Sequence, residues 1–139
     1  MYSIKKENIV IRTMQVGDVA SYISKFNYPP RERNMFYTAV KRNITQRKKD
    51  EPNLYFAILE NNKVIGAIAC IAMEKSLCDA VIRIDLPGRE QLMDEVKNLF
   101  VELARETYFY DDIYFEKGAN ILGQTILSKP IPIADSSRW

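Results

Sequence analysis

Asp79–Glu106 reads DAVIRIDLPGREQLMDEVKNLFVELARE, and its two halves follow different periods. In the first half Ile82, Ile84 and Leu86 alternate with Arg83 and Asp85 until Pro87-Gly88 intervenes, which predicts a strand over Asp79–Leu86 closed by a turn. In the second, Leu92, Val96, Leu99, Phe100, Leu103 and Thr107 recur at steps of three and four, with Asp94, Glu95, Glu102 and Glu106 elsewhere. That spacing predicts an amphipathic helix from Glu90 to about Thr107.

Working upstream, Lys63–Met73 contains VIGAIACIAM, apolar at both parities, as in a central strand covered on two faces. Asn61-Asn62 joins it to Leu54–Glu60, because Asn tolerates the positive φ of a tight hairpin. Before that, Arg31 to about Lys49 has an apolar stripe of Met35, Phe36, Ala39, Val40 and Ile44 and is otherwise strongly basic. Gly17 and Asp18 are expected to make a turn and N-cap for a first helix carrying Val19, Ile23 and Phe26, stopped at Asn27-Tyr28-Pro29-Pro30. Asn8–Thr13 opens the fold as a β-branched strand. Downstream, Ile113–Lys117 and Ile121–Leu127 read as strands, and the prolines from Pro130 onward leave an irregular tail from about residue 128. Residues 1–139 therefore read as a single α+β domain, a three-layer α/β/α arrangement whose mixed, mostly antiparallel central sheet is flanked by helices.

Composition bounds the chemistry. A chain of 139 residues with 47% hydrophobic and 27% charged residues suits one globular core. It contains no histidine, which removes every Ser-His-Asp, Cys-His and imidazole-metal mechanism; no metal is expected. Cys70 and Cys78, with no signal core upstream, fit a reduced cytoplasmic setting. The longest apolar run has ten residues where a membrane span needs about 20, so no membrane is expected. Net charge is +2, yet residues 1–50 hold 11 Lys/Arg against 4 Asp/Glu and residues 51–139 hold 9 against 14. The acidic remainder opposes docking on a polyanion, so nucleic acid is an unfavoured partner and the basic helix reads first as a solvated face.

The order of elements resembles the GNAT (Gcn5-related) N-acetyltransferase family over Ile9 to Lys117. The likeness is carried by IVIRTMQVGDVASYI, by the hairpin YFAILENNKVIGAIACI and by the strand-turn-helix DAVIRIDLPGREQLMDEVKNLFVELARE. The resemblance implies acetyl-coenzyme A bound between splayed fourth and fifth strands, its diphosphate on the N-terminus of the long helix, where unpaired N–H groups and the helix dipole attract an anion. The positions implied are Ile84, Leu86, Gly88, Arg89, Glu90 and Gln91. The family's glycine motif there (Gln or Arg, two residues, Gly, one residue, Gly or Ala) is satisfied in no register of RIDLPGREQLMDEV. Carboxylates at Glu90, Asp94 and Glu95 cap the dipole themselves and repel a diphosphate, whereas Arg89 attracts one.

For proton transfer the resemblance implies a tyrosine acid, here Tyr114, and a carboxylate base, here Asp85 or Asp79. The plainer reading makes Tyr114 a half-buried strand aromatic and the aspartates solvent-facing residues of an alternating strand. Cys78 reads as an inert thiol, and Tyr108-Phe109-Tyr110 as core closure. Two functions follow: an enzyme passing an acetyl group from acetyl-coenzyme A to a small-molecule amine or peptide acceptor, or a GNAT-like interaction module without coenzyme. The family's last helix and final two strands need more chain than Gly118–Trp139 supplies, so a homodimer through an exposed sheet edge is expected as well.

Overall fold

The structure is a computed structural model that describes residues 3–26, 29–46, 53–73, 76–107 and 112–115. Among these residues six strands form one sheet in chain order: β1 (Ser3–Lys6), β2 (Ile9–Thr13), β3 (Asn53–Glu60), β4 (Lys63–Met73), β5 (Ser76–Asp85) and β6 (Asp112–Phe115). Each neighbouring pair is antiparallel except β5 and β6, which are parallel. Helices α1 (Val16–Ile23) and α2 (Pro30–Gln46) separate β2 from β3; a 3-10 turn at Glu90–Leu92 leads into α3 (Met93–Thr107) between β5 and β6. A parallel pair cannot be joined by a tight hairpin, so the amphipathic α3 serves as the crossover.

The sheet is covered on both faces, which is why β4 is apolar at both parities. Ile65, Ile68 and Cys70 join Val96, Leu99, Phe100 and Leu103 of α3 in one core; Ala67 and Ala69 join Val19, Tyr22 and Ile23 of α1 and Phe36 and Val40 of α2 in the other. Burial of each large α3 side chain contributes roughly 1.5–3 kcal/mol, and Phe100 adds an edge-to-face contact with Phe56 at 5.2 Å between ring centroids. The α+β, three-layer reading thus holds. No helix among the described residues is long and apolar enough to cross a membrane.

A bulge sets the register of β4. Ile58 pairs with Gly66 and Leu59 with Val64, leaving Ile65 as an extra residue that moves the following side chains to the opposite face. The glycine is sterically required, because a Cβ there would lie 2.1 Å from the carbonyl oxygen of Asp85. The β3–β4 hairpin closes as expected, with Asn61 and Asn62 at φ 51° and 67°, and Asn61 N–H donates to the Asn8 carbonyl at 3.0 Å, tying the two hairpin ends together.

Four expectations need correction. The strand β1 is absent from the sequence reading because Ser3-Ile4-Lys5-Lys6 is an edge segment with only Ile4 touching the core. Asp18 is not the N-cap: α1 starts at Val16 on Gln15, and Asp18 sits three residues inside, where its carboxylate accepts the Gln15 N–H at 2.8 Å and grips Arg12 at 2.6 Å. Pro30 opens α2 at the position where a missing N–H costs nothing. Met35 is 48% exposed, so the α2 stripe is carried by Phe36 and Val40 with Tyr37 and Ile44 at its margin. The expected strand Ile121–Leu127, the tail and Tyr108–Tyr110 lie outside the described residues, as do the side chains of Cys78 and Asp79.

Candidate active site

The strand β5 ends at Asp85, and Leu86–Arg89 then forms a tight turn in which Arg89 N–H donates to the Leu86 carbonyl at 2.9 Å. Pro87 and Gly88 hold the two central positions, Gly88 at φ 78°, which is the arrangement of a type II turn and calls for glycine at the third residue. Ile84 and Leu86 pack into the core beneath α3 and leave only their backbone for binding. Gly88, Glu90 and Gln91 are exposed around the start of the helical segment. Among the described residues nothing lies within 4 Å of a Cβ built on Gly88.

Electrostatically the turn is occupied. The Glu90 carboxylate accepts the Gly88 N–H at 3.3 Å, and Arg89 forms a bidentate pair with Glu60 at the end of β3, one arm at 2.6 Å. These internal carboxylates engage the N–H and the guanidinium that a diphosphate would use. The Gly88–Glu90 bond is long and solvent-exposed, so giving it up costs on the order of 1 kcal/mol.

The strands β5 and β6 pair in parallel from Asp79 with Asp112 to Ile82 with Phe115. Ile113 and Phe115 pack toward α3, so alternation turns Tyr114 to the α1–α2 face. Val81, Arg83 and Asp85 share that face. Tyr114 stands level with Val81, hence about 13 Å of strand from Asp85, too far for both to touch one reacting carbon directly.

Two residues of this face escaped the sequence reading. Arg83 is 1% exposed, and it and Asp85 lie opposite Ala69 and Ala67 of β4, whose small side chains leave room for them. Tyr22, also 1% exposed, reaches from α1 to donate its hydroxyl to Asp85 Oδ2 at 2.5 Å. The only signal for Tyr22 was its place three residues after Val19 on the buried stripe of α1, and nothing in that spacing names its partner. A separate cleft of about 220 Å³ opens between α1 and α2, with Ser24, Arg33, Asn34 and Tyr37 among its lining residues.

With this geometry established, comparison with solved structures gives the fold its name. The ribosomal-protein-S5-alanine acetyltransferase from Vibrio fischeri aligns over 92% of this chain and 81% of its own, with a TM-score of 0.66 at 12% identity. A chimera of spermidine N-acetyltransferase SpeG from Vibrio cholerae and hSSAT aligns over 78% of this chain and 70% of its own, with a TM-score of 0.59 at 14% identity. No family model matches the sequence, and no curated protein matches it. The fold is that of the GNAT acetyltransferases.

Proposed function

We propose that this chain is an N-acyltransferase that passes an acetyl group from acetyl-coenzyme A to an amine. The observation that carries the reading is the junction where β5 runs through Arg83–Asp85 straight into the glycine turn and α3, in a fold shared with acetyltransferases. In this reading the backbone of Ile84 and Leu86 meets the coenzyme, and Gly88, Arg89 and the N–H groups near Glu90 and Gln91 hold its diphosphate. Acetyl-coenzyme A supplies an activated thioester. The amine nitrogen bonds to the acyl carbon as the carbon–sulfur bond breaks; Tyr114 gives the sulfur a proton, and Asp85 collects the proton that the nitrogen loses. With about 13 Å of strand between them, Asp85 acts in this reading through a water molecule.

The exposed cations of α2, Arg31, Arg33, Lys41 and Arg42, favour an acceptor that carries negative charge beside its amine. Pairing along the outer edge of β6 is the proposed route to a homodimer, in a reduced cytoplasmic setting.

A second reading starts from one observation, the occupation of Gly88 and Arg89 by Glu90 and Glu60. On that reading the chain is an interaction module that binds no coenzyme. Thermal unfolding with and without millimolar acetyl-coenzyme A separates the two: at about 100 times the dissociation constant a ligand stabilises by ~2.7 kcal/mol. An unchanged midpoint removes the enzyme and leaves the module.

A further inference from the structure

We propose that Tyr22 is a positioning residue, whose phenol holds the Asp85 carboxylate in the orientation from which it receives the acceptor's proton. The inference rests on the acyl-transfer reading and adds to it a residue from α1, on the opposite layer of the molecule from the coenzyme-side helix α3.

Three observations support it. Tyr22 and Asp85 are far apart in sequence, yet their side chains meet at 2.5 Å, the short distance of a hydroxyl donating to an ionised carboxylate. Tyr22 is almost wholly buried, so its hydroxyl must find a protein partner, whereas Asp85 is half-buried and keeps contact with solvent. The ring of Tyr22 is itself fixed, standing edge-on to Phe26 with centroids 5.4 Å apart. A rigid donor on a half-exposed base fixes one carboxylate oxygen and leaves the group accessible, as an aligned proton acceptor requires.

On this face Asp85 lies opposite Ala67 of β4, two residues from Arg83, which lies opposite Ala69, and Tyr22 reaches it from α1. Arg83 is the charged member of that set, and a Tyr22→Phe exchange leaves it in place. A hydrogen bond donated to the ionised carboxylate favours that form, so removing the hydroxyl moves the low-pH limb of a rate profile, which the base governs, to higher pH.

The experiment compares the intact chain with Tyr22→Phe, Asp85→Asn and the double variant. Acetyl-coenzyme A and an excess of a simple primary amine are the probes, with released thiol as the readout of turnover and thermal unfolding as the readout of binding. Expected for Tyr22→Phe are unchanged binding, roughly tenfold slower turnover at neutral pH and a limb displaced upward by about one pH unit. The double variant is expected to be no slower than Asp85→Asn alone, because both substitutions remove one unit. Ultraviolet titration of the phenols gives a check without coenzyme: Asp85→Asn should let one tyrosine ionise at lower pH, since a neighbouring carboxylate opposes phenolate formation. Turnover with superposable pH profiles in wild type and Tyr22→Phe overturns the assignment alone. Failure of the wild-type chain to bind acetyl-coenzyme A overturns the acyl-transfer reading and the assignment with it.

Discussion

Gly66 lies beneath the carbonyl of Asp85 at a distance that leaves no room for a methyl group, since a Cβ would come within 2.1 Å of the oxygen. The contact joins the bulge of β4 to the last residue of β5, so the backbone that enters the glycine turn is supported from behind by a single residue type. Gly66→Ala is expected to destabilise the protein by about 2–4 kcal/mol, because the clash is with backbone that cannot rotate away. Gly17→Ala is the control: nothing lies within 4 Å of its Cβ position, and alanine there should be neutral or mildly stabilising. Urea denaturation of the two variants checks both signs.

Removing the internal carboxylate should strengthen coenzyme binding. Glu90→Gln deletes the negative charge held on the Gly88 N–H and is expected to lower the dissociation constant for acetyl-coenzyme A about threefold to tenfold, the equivalent of ~0.7–1.4 kcal/mol. Titration calorimetry of both chains measures it. Equal affinities would show that Glu90 does not compete for the turn.

Arg89 offers the reverse experiment. Its guanidinium is held by Glu60, and Glu60→Gln should release it toward an anion while costing about 1–2 kcal/mol, because the pair is part-buried. Arg89→Ala should weaken coenzyme binding at least tenfold and make Glu60→Gln silent. Binding measured across the double cycle reads this coupling directly.

The start of α1 depends on one carboxylate with two tasks. Asp18 accepts the Gln15 N–H and pairs with Arg12, and at 7% exposure its loss leaves both partners underserved. Asp18→Ala is expected to cost about 2–3 kcal/mol and Asp18→Asn about half as much, since the amide oxygen still accepts from Gln15. Thermal denaturation ranks the two. Because α1 carries Tyr22, Asp18→Ala should also slow turnover.

How far the sequence disclosed this arrangement differs from one element to the next. The helix α3 was legible because Val96, Leu99, Phe100 and Leu103 keep one spacing and all face a single core. Asn61-Asn62 was legible because their side chains suit the backbone angle the hairpin needs. The edge strand β1 was not, since lysines at Lys5 and Lys6 carry no alternation, and in its turn, Glu7-Asn8, it is Glu7 that takes the positive φ, 56°. At the site, the glycine turn could be read from Pro87-Gly88, and the expected competition of Glu90 follows from its position alone. Tyr22, Arg83 and Glu60 could not be found, because each matters through a partner distant in the chain or through the face to which a bulge-shifted sheet turns it.

The parallel ladder between β5 and β6 has a kinetic consequence. The first five strands associate through antiparallel neighbours, whereas Asp79 meets Asp112 only after the whole of α3 has been laid across the sheet. Closing that long excursion carries a larger loop entropy than the hairpin steps, so the meander is expected to assemble early and β6 to dock last. Pulse-labelling of amide hydrogens during refolding would then show Ile113–Phe115 gaining protection after β3 and β4, making the flank that borders the proposed catalytic groove the final part of the molecule to mature.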